Sequence, residues 1–249
     1  TVYSNTIENC RFGLQLRNHV GGVVSGNIIK YNTNDDNLIA DYPSSRDFFR
    51  RGILLQSCNR VTVNGQNTIF RNASLCQGLD AAKTRLIGIA TIFGNNFIDD
   101  NISLNLPTGM RISGVCSGTQ LACNIMDACY EGIRLVNPVL DPQGAIGQPN
   151  GNKWMNWGAS NDHIRDDYSP FFVHNFIEWY YDGTLASSAT MTVNPTNIPV
   201  YIPTVPTTGS SGCLNDDCSG CIIDRVHAII NHSTDTTISE EYRYFNKQI

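Results

Sequence analysis

The amino-acid sequence predicts an all-β solenoid in which short coils of three strands stack along one axis. A six-residue motif that begins with Asn recurs along the first half of the chain, a Gly-Ile-x-Leu motif follows it, and a third apolar segment precedes the next Asn. The closest copies of the Asn motif start 22 residues apart, which suits a triangular coil of three short strands. A helical repeat would need a periodicity near 3.6 residues, and we see none.

The Asn motif has its own chemistry at each position. Its first position is occupied by Asn5, Asn27, Asn67, Asn96 and Asn124. Its third position, predicted to stack inward, holds Ile7, Ile29, Ile69, Ile98 and Met126. The fourth is mostly polar and is predicted to point outward, because successive side chains of a strand face opposite sides. The sixth is predicted to form a structural ladder of stacked amides, in which Cys can replace Asn: Cys10, Asn32, Asn72, Asn101 and Cys129.

The second strand of each coil starts with Gly. Its copies are residues 13–16, 52–55, 109–112 and 132–135. In the third coil either Gly78 or Gly88 could open this strand. Residues 23–26, 61–64 and 90–93 supply the third strand before the next Asn.

Together these motifs resemble the right-handed parallel β-helix of the pectate-lyase-like superfamily, over residues 1–136. The resemblance implies a right-handed solenoid with loop insertions on one edge and an irregular C-terminal cap. Two later segments, residues 146–154 and 169–173, resemble the end of the helix region in large surface proteins exported by Bacteroidota. The motifs that carry these resemblances mark architecture and say little about activity.

The chain divides into four predicted regions. Parallel β-helix coils fill residues 1–136, where the repeat is visible. Residues 137–183 form an irregular, aromatic-rich region that caps the open end of the solenoid, or whose aromatic rings stack on sugars. Residues 184–212 are a Thr/Pro-rich extended linker. Residues 213–249 are a C-terminal segment that contains three cysteines.

Composition limits the location and the partners. A formal net charge of −5 with only 16% charged residues argues against nucleic-acid binding, which needs a clustered basic surface. No apolar run is long enough for a membrane span. Nine cysteines are many for a reducing cytosol, so we expect an extracellular or cell-surface location. The chain begins with Thr1 in the middle of a repeat, so we also expect a part of a longer, exported protein.

The cysteines Cys213, Cys218 and Cys221 form a C-x4-C-x2-C cluster. We interpret it as one local disulfide with a spare thiol. The alternative is a metal site, which would need His227 or His232 as a fourth ligand. Asp216 and Asp217 make calcium the one candidate cofactor, and we predict no other.

The sequence gives only weak evidence for a catalytic site. The acidic pairs at residues 35–36, 99–100 and 166–167 are interpreted as solvated turns, and the segment Arg111-Ile112-Ser113 lacks the lysine that hydrolases of this superfamily show. Five scattered His have no nucleophile elbow beside them. We therefore predict no catalytic residue, with a polysaccharide lyase or glycoside hydrolase as the alternative.

Three insertions, at residues 33–51, 73–87 and 102–108, fall between the Asn motif and the second strand, so they should project from one edge of the solenoid. Long loops on a rigid scaffold often carry binding sites, although these loops could equally shield that face. The candidate binding residues are Asp41, Tyr42, Arg46, Asp47, Arg50 and Arg51. The predicted function is a non-catalytic structural or adhesive segment whose partner is a surface or matrix protein or a glycan.

Overall fold

The computed structural model describes residues 1–32, 50–72, 86–156, 162–167, 175–183, 193–195, 204–209, 211 and 213. All regular elements in these ranges are β-strands. The chain divides into two compact units, residues 1–212 and 213–249. Cys213 is the described residue of the second unit, and the fold below is that of the first unit.

Fifteen strands form five groups of three, and we call each group a coil. Coil 1 contains β1 (Val2–Tyr3), β2 (Thr6–Glu8) and β3 (Phe12–Arg17). Coil 2 contains β4 (Val23–Ser25), β5 (Ile28–Asn32) and β6 (Arg50–Gln56). Coil 3 contains β7 (Thr62–Asn64), β8 (Thr68–Asn72) and β9 (Leu86–Ile92). Coil 4 contains β10 (Phe97–Asp99), β11 (Ile102–Leu104) and β12 (Thr108–Val115). Coil 5 contains β13 (Gln120–Ala122), β14 (Ile125–Asp127) and β15 (Glu131–Val139).

The three strands of each coil belong to three different parallel sheets. The first sheet has the order β1-β4-β7-β10-β13, so each coil adds one strand beside that of the coil before it. The second and third sheets follow the same rule with the second and third strands of each coil. Among the described residues the fold is therefore all-β with three parallel sheets, an arrangement compatible with a parallel β-helix.

Two of the sheets continue beyond residue 136, where the recognisable repeat ends. The strand β16 (Lys153–Met155) extends the second sheet, and β17 (Asp162–Asp167) and β19 (Val193–Pro195) extend the third. The strands β18 (Trp179–Asp182) and β20 (Thr204–Thr207) form a separate parallel pair. The parallel stack thus extends into both regions predicted as cap and linker. The sequence conceals this because Trp154, not an aliphatic residue, takes the inward position of β16.

The core consists of inward columns, one residue from each coil. In the first sheet the column is Val2, Val24, Val63, Ile98 and Leu121. In the second it is Ile7, Ile29, Ile69, Ser103, Met126 and Trp154. In the third it is Leu14, Ile53, Ile89, Met110, Ile133 and Ile164.

These registers correct the predicted isoleucine column. Ile98 belongs to the first sheet, and Ser103 stands between Ile69 and Met126 in the second. The Ser103 hydroxyl donates to the Gly109 carbonyl at 3.1 Å, which satisfies this polar group inside the core. The strand β11 also shows that residues 102–108 are not an insertion, because they begin with a regular strand of the second sheet.

A ladder of amides, all buried except that of Asn5, runs along the corner between the first and second sheets. The Nδ2 of each Asn donates to the Oδ1 of the Asn in the next coil, at 2.8–3.0 Å. The participants are Asn5, Asn27, Asn67, Asn101, Asn124 and Asn152. The ladder therefore occupies the first position of the motif, and Asn101 rather than Asn96 represents the fourth coil.

The predicted ladder at the sixth position is a different column. Asn32 and Asn72 are paired in register there. The strand register puts Cys10 at one end of this column and Cys129 at the other. Fully buried Leu106 fills the place predicted for Asn101. Cys10 is half-buried and Cys129 is buried, and neither belongs to a disulfide.

Glycines form a column where the third sheet begins. A Cβ at Gly13, Gly52, Gly88 or Gly109 would lie 2.4–2.7 Å from the carbonyl oxygen of the facing glycine in the next coil. This approach is closer than a side chain allows, so each coil needs glycine here. The column includes Gly88, the third residue of β9, which is therefore the glycine of this strand in coil 3.

Candidate functional site

The outer face of the third sheet changes chemistry along the stack. In coils 2 and 3, Leu54, Ile87 and Ala90 form an apolar cluster that is separate from the core and at most 1% exposed. From coil 4 onward the same outward columns carry charged and hydroxyl groups. Alternation along the strands sets this arrangement, because Arg111 lies between the inward residues Met110 and Ile112.

Three arginines occupy one outward column on adjacent strands. Arg111, Arg134 and Arg165 are in register on β12, β15 and β17. Two carboxylates lie in the neighbouring column, where Glu131 is in register with Asp162. Asp167 lies at the other side of the arginines, on β17. We call these six residues the arginine–carboxylate cluster.

Hydrogen bonds and ion pairs connect the cluster across two strands. Asp167 Oδ2 accepts from Arg134 Nε at 2.6 Å and contacts Nη2 of the same guanidinium at 2.5 Å. Arg165 Nε lies 3.1 Å from Asp167 Oδ1 and 3.4 Å from Glu131 Oε1. Arg165 Nη1 contacts Asp162 Oδ2 at 3.4 Å. The guanidiniums of Arg134 and Arg165 thus both contact the carboxylates of Glu131 and Asp167. These shared contacts fix the orientation of the four side chains.

Glu131 is the most buried carboxylate of the cluster, with a side chain that is 2% exposed. Its Oε2 accepts from the Thr108 hydroxyl at 2.9 Å and lies 3.5 Å from Arg134 Nη1. Burial raises the pKa of Glu131, and this effect outweighs the opposing attraction of Arg134 and Arg165. Burial lowers the pKa of Arg165, but attraction by Asp167 and Glu131 is stronger, so that its pKa is raised.

Arg111 stands at the edge of the cluster. Burial, followed by repulsion from Arg134 and Arg51, lowers the pKa of Arg111 to about 10. Its Nε donates to the Ser113 hydroxyl at 3.1 Å. The electrostatic influence of Arg51 links the cluster to the strand β6, which precedes it by two coils.

Two of the six predicted binding residues lie in the described part of the chain. Arg50 and Arg51 are both on β6, at intermediate exposure. The Arg51 guanidinium lies 5.6 Å from the centre of the Phe12 ring, and Arg11 lies 5.2 Å from it. The other four, Asp41, Tyr42, Arg46 and Asp47, lie outside the described residues.

The arginine column was not predicted from the sequence. Its signal is the triplets Met110-Arg111-Ile112, Ile133-Arg134-Leu135 and Ile164-Arg165-Asp166, each with Arg between inward residues. The acidic pair of residues 166 and 167 was interpreted as a solvated turn, but both residues belong to β17. Asp167 joins the cluster, and Asp166 is only 2% exposed.

The cysteine prediction is described for one of its three residues. Cys213 is disulfide-bonded, as is Cys123, while Cys218 and Cys221 lie outside the described residues. Cys10, Cys58, Cys116 and Cys129 are not disulfide-bonded. Within the described ranges, no group of three or more His, Cys, Asp or Glu is placed to hold a metal ion. No helix in those ranges has the length and apolarity of a membrane span.

Chemically, the cluster offers donors and acceptors that are held in place on adjacent strands. Guanidinium groups donate several hydrogen bonds in a plane, and the carboxylates between them accept hydrogen bonds. Such a face is suited to ligands with many hydroxyl or acidic groups. No protein-family model, curated protein or solved structure matches this chain.

Proposed function

We propose that the chain is a segment of an extracellular or cell-surface right-handed parallel β-helix with a structural or adhesive role. In this proposal the arginine–carboxylate cluster contacts a glycan or a protein partner. Connections that return to a parallel neighbour in the same sheet are right-handed in nearly all proteins, which supports the handedness. The pectate-lyase-like resemblance of residues 1–136 supports the same architecture.

The mutual pairing of the cluster carries the proposal. Its carboxylates contact guanidiniums at 2.5–3.5 Å, and the residues stand on strands rather than on loops. Side chains already fixed by their neighbours lose little conformational entropy when a partner binds, so that such a face is pre-organised for recognition. Three positive and three negative groups also leave the cluster nearly neutral, which favours hydroxyl-rich partners over purely ionic ones.

The extracellular location rests on cysteine chemistry. Cys123 and Cys213 are disulfide-bonded, and disulfides persist mainly in oxidising compartments. The thiols of Cys58, Cys116 and Cys129 are buried in the stack, where oxidants reach them poorly. An exported protein fits both observations.

The test of adhesion is binding to panels of immobilised acidic glycans, neutral glycans and matrix proteins. We compare the wild-type chain with Arg165→Gln, which removes a cluster cation, and with Arg60→Gln, an exposed arginine outside the cluster. We expect about a tenfold or greater loss of affinity for Arg165→Gln, equivalent to the loss of one or two charge-assisted hydrogen bonds, and none for Arg60→Gln. Equal affinity of both variants for every bound partner would reject the cluster as the contact face.

A second candidate function is polysaccharide cleavage, and Glu131 favours it. A carboxyl group with a raised pKa beside further carboxyl groups, here those of Asp162 and Asp167, is the arrangement from which glycoside hydrolases obtain a general acid and its partner. The assays are release of reducing ends from neutral polysaccharides, and ultraviolet absorbance on acidic ones with calcium. Activity that Glu131→Gln abolishes and Glu8→Gln retains would establish an enzyme in place of the adhesive segment.

A further inference from the structure

In coils 2–5 the outer face of the first sheet is open, whereas that of the second sheet is covered. Apolar side chains that point outward from the second sheet are at most 8% exposed: Ile28, Phe70, Ile102, Leu104 and Ile125. On the first sheet Val23 is 36% exposed and Phe97 is 42% exposed. Phe97 is thus left open on an interior strand, although Phe70 on the neighbouring sheet is almost completely covered.

Two outward columns run along the first sheet, across its strands. One contains Val23, Thr62, Phe97 and Gln120, and the other contains Ser25, Asn64, Asp99 and Ala122. We call these eight residues the first-sheet face. Neighbouring strands lie about 4.8 Å apart, so each column is about 14 Å long. Phe97 stands inside its column, between the Thr62 hydroxyl and the Gln120 amide.

The polar groups beside Phe97 are available to a ligand. Within the described ranges, the side chains of Thr62, Asn64 and Gln120 make no hydrogen bond to another residue. Together they supply both donors and acceptors, because a hydroxyl and a carboxamide can each do both. The arginine–carboxylate cluster differs, since its groups already pair with one another. A ligand on the first-sheet face therefore breaks no internal contact when it binds.

Charge selects among possible ligands. Asp99 is the one charged residue of the eight, and it is negative. A ligand that carries carboxylate or sulfate groups would find no cation among these residues and would be repelled by Asp99. Hydroxyl groups need no counter-charge, and they can donate to Asp99 as well as bond to the amides.

We propose that the first-sheet face binds a neutral glycan whose chain lies along the two columns. One sugar ring stacks on Phe97, because the phenyl ring and the C–H face of a pyranose are both flat and apolar. The amides of Asn64 and Gln120, from the coils before and after, bind hydroxyl groups on either side of that sugar. This surface goes beyond the function proposed above, since it lies on another sheet and shares no residue with the arginine–carboxylate cluster.

A protein partner fits the first-sheet face less well. Stable protein interfaces bury about 800 Å² on each partner around a well-packed apolar centre. Two residues of each strand span about 7 Å, so the face covers on the order of 100 Å². Its apolar members, Val23, Phe97 and Ala122, are also interrupted by polar ones. An oligosaccharide needs no larger area than this.

The test measures binding of the whole chain to immobilised neutral polysaccharides (β-glucan, β-mannan and xylan) and to acidic polygalacturonate. The variants are Phe97→Ala, Gln120→Ala and Phe97→Trp. The matched control is Phe176→Ala, which removes a ring that is 60% exposed and lies outside the first sheet. Thermal unfolding of each variant checks that the fold is retained.

We expect the wild-type chain to bind at least one neutral polysaccharide more tightly than polygalacturonate. Phe97→Ala should weaken that binding by about tenfold or more, as truncation of a central aromatic contact does, and Phe176→Ala should not. Gln120→Ala should weaken it by about threefold, through one lost hydrogen bond. Phe97→Trp should keep binding, and the polysaccharide should change the fluorescence of the added indole.

Absence of binding to every neutral polysaccharide would overturn the proposal, as would equal affinities of Phe97→Ala and Phe176→Ala. Preference for polygalacturonate would overturn the neutral class of ligand. Weakening by Arg165→Gln without weakening by Phe97→Ala would place the contact on the arginine–carboxylate cluster alone. The reverse result would support the first-sheet face and reject the cluster as the glycan contact. Self-association that Phe97→Ala abolishes would identify a second copy of the chain as the occupant.

Discussion

Replacing Asn101 with Ala removes a middle member of the amide ladder. Asn101 is fully buried, and its Nδ2 donates to the Val63 carbonyl at 2.9 Å, to the Asp99 carbonyl at 2.8 Å and to Asn124 Oδ1 at 3.0 Å. Its Oδ1 accepts from Asn67 Nδ2 at 2.8 Å. One substitution therefore breaks four contacts between or within coils 3, 4 and 5.

The cost follows from the groups that lose a partner. A typical hydrogen bond contributes about 1 kcal/mol net, and a buried polar group left without a partner costs about 1–3 kcal/mol. Asn124 Oδ1 keeps the backbone N–H of residue 101, and Asn67 Nδ2 keeps the carbonyls of Val24 and Asn64. The Val63 and Asp99 carbonyls lose the most, so we expect Asn101→Ala to reduce the free energy of unfolding by about 3–5 kcal/mol.

Urea unfolding at equilibrium measures this difference, with Asn5→Ala as the control. Asn5 belongs to the same ladder, but it is exposed and donates only to Tyr3 and Asn27. Water can replace those bonds, so we expect Asn5→Ala to cost about 1 kcal/mol or less. Similar losses for the two variants would refute the argument that burial makes the ladder a source of stability.

Three further predictions concern other columns. Gly109→Ala should cost about 1–3 kcal/mol in urea unfolding because its Cβ would lie 2.7 Å from a facing backbone carbonyl oxygen. Gly118→Ala should cost less, because its Cβ would meet only the Asn95 side chain, at 3.1 Å, on an exposed turn, and equal costs would contradict the close approach at Gly109. Burial lowers the pKa of His163 to about 4 from an ordinary value of 6.5, so the stability that neutral His163 contributes is lost as pH falls from 6.5 towards 4. His163→Gln should therefore reduce the slope of the unfolding free energy against pH in that window. An unchanged slope would exclude His163 as the cause of the pH dependence. Iodoacetamide at about pH 8 should modify half-buried Cys10 in the folded chain. It should reach Cys116, whose pKa burial raises to about 11, only after unfolding. Peptide mass spectrometry that finds both cysteines modified at equal rates would show that the stack opens.

The sequence was most informative where each coil repeats the same requirement. The glycine column follows from a backbone approach that every coil makes, and the isoleucines at residues 7, 29 and 69 share one inward column as predicted. Prediction was wrong in coil 4, because Asn96 and Asn101 each start an Asn motif and only the second joins the ladder. Ser103 hides the true column, since a small polar residue there looks incompatible with a core position.

The arginine–carboxylate cluster was harder to predict, because outward columns have no shared requirement. An inward position must match its neighbours in size and polarity, but an outward position needs only to alternate with them. Arg111, Arg134 and Arg165 therefore read as ordinary exposed residues in three separate motifs. Their proximity depends on strand register, which the unequal coil lengths make difficult to count from the sequence.

The same division separates the positions that set the stability of the stack from those that the proposed contact with a partner would use. In a stack each coil contacts only its neighbours, so stability depends on the inward columns, the glycine column and the amide ladder repeated from coil to coil. The outward face of the third sheet is free of that repetition, and it changes from buried apolar side chains at Leu54, Ile87 and Ala90 to charged ones at Arg111, Arg134 and Glu131. Along this one sheet the outer side chains change from apolar to charged while the inward column from Leu14 to Ile164 stays apolar, and the proposed contact with a partner depends on that change.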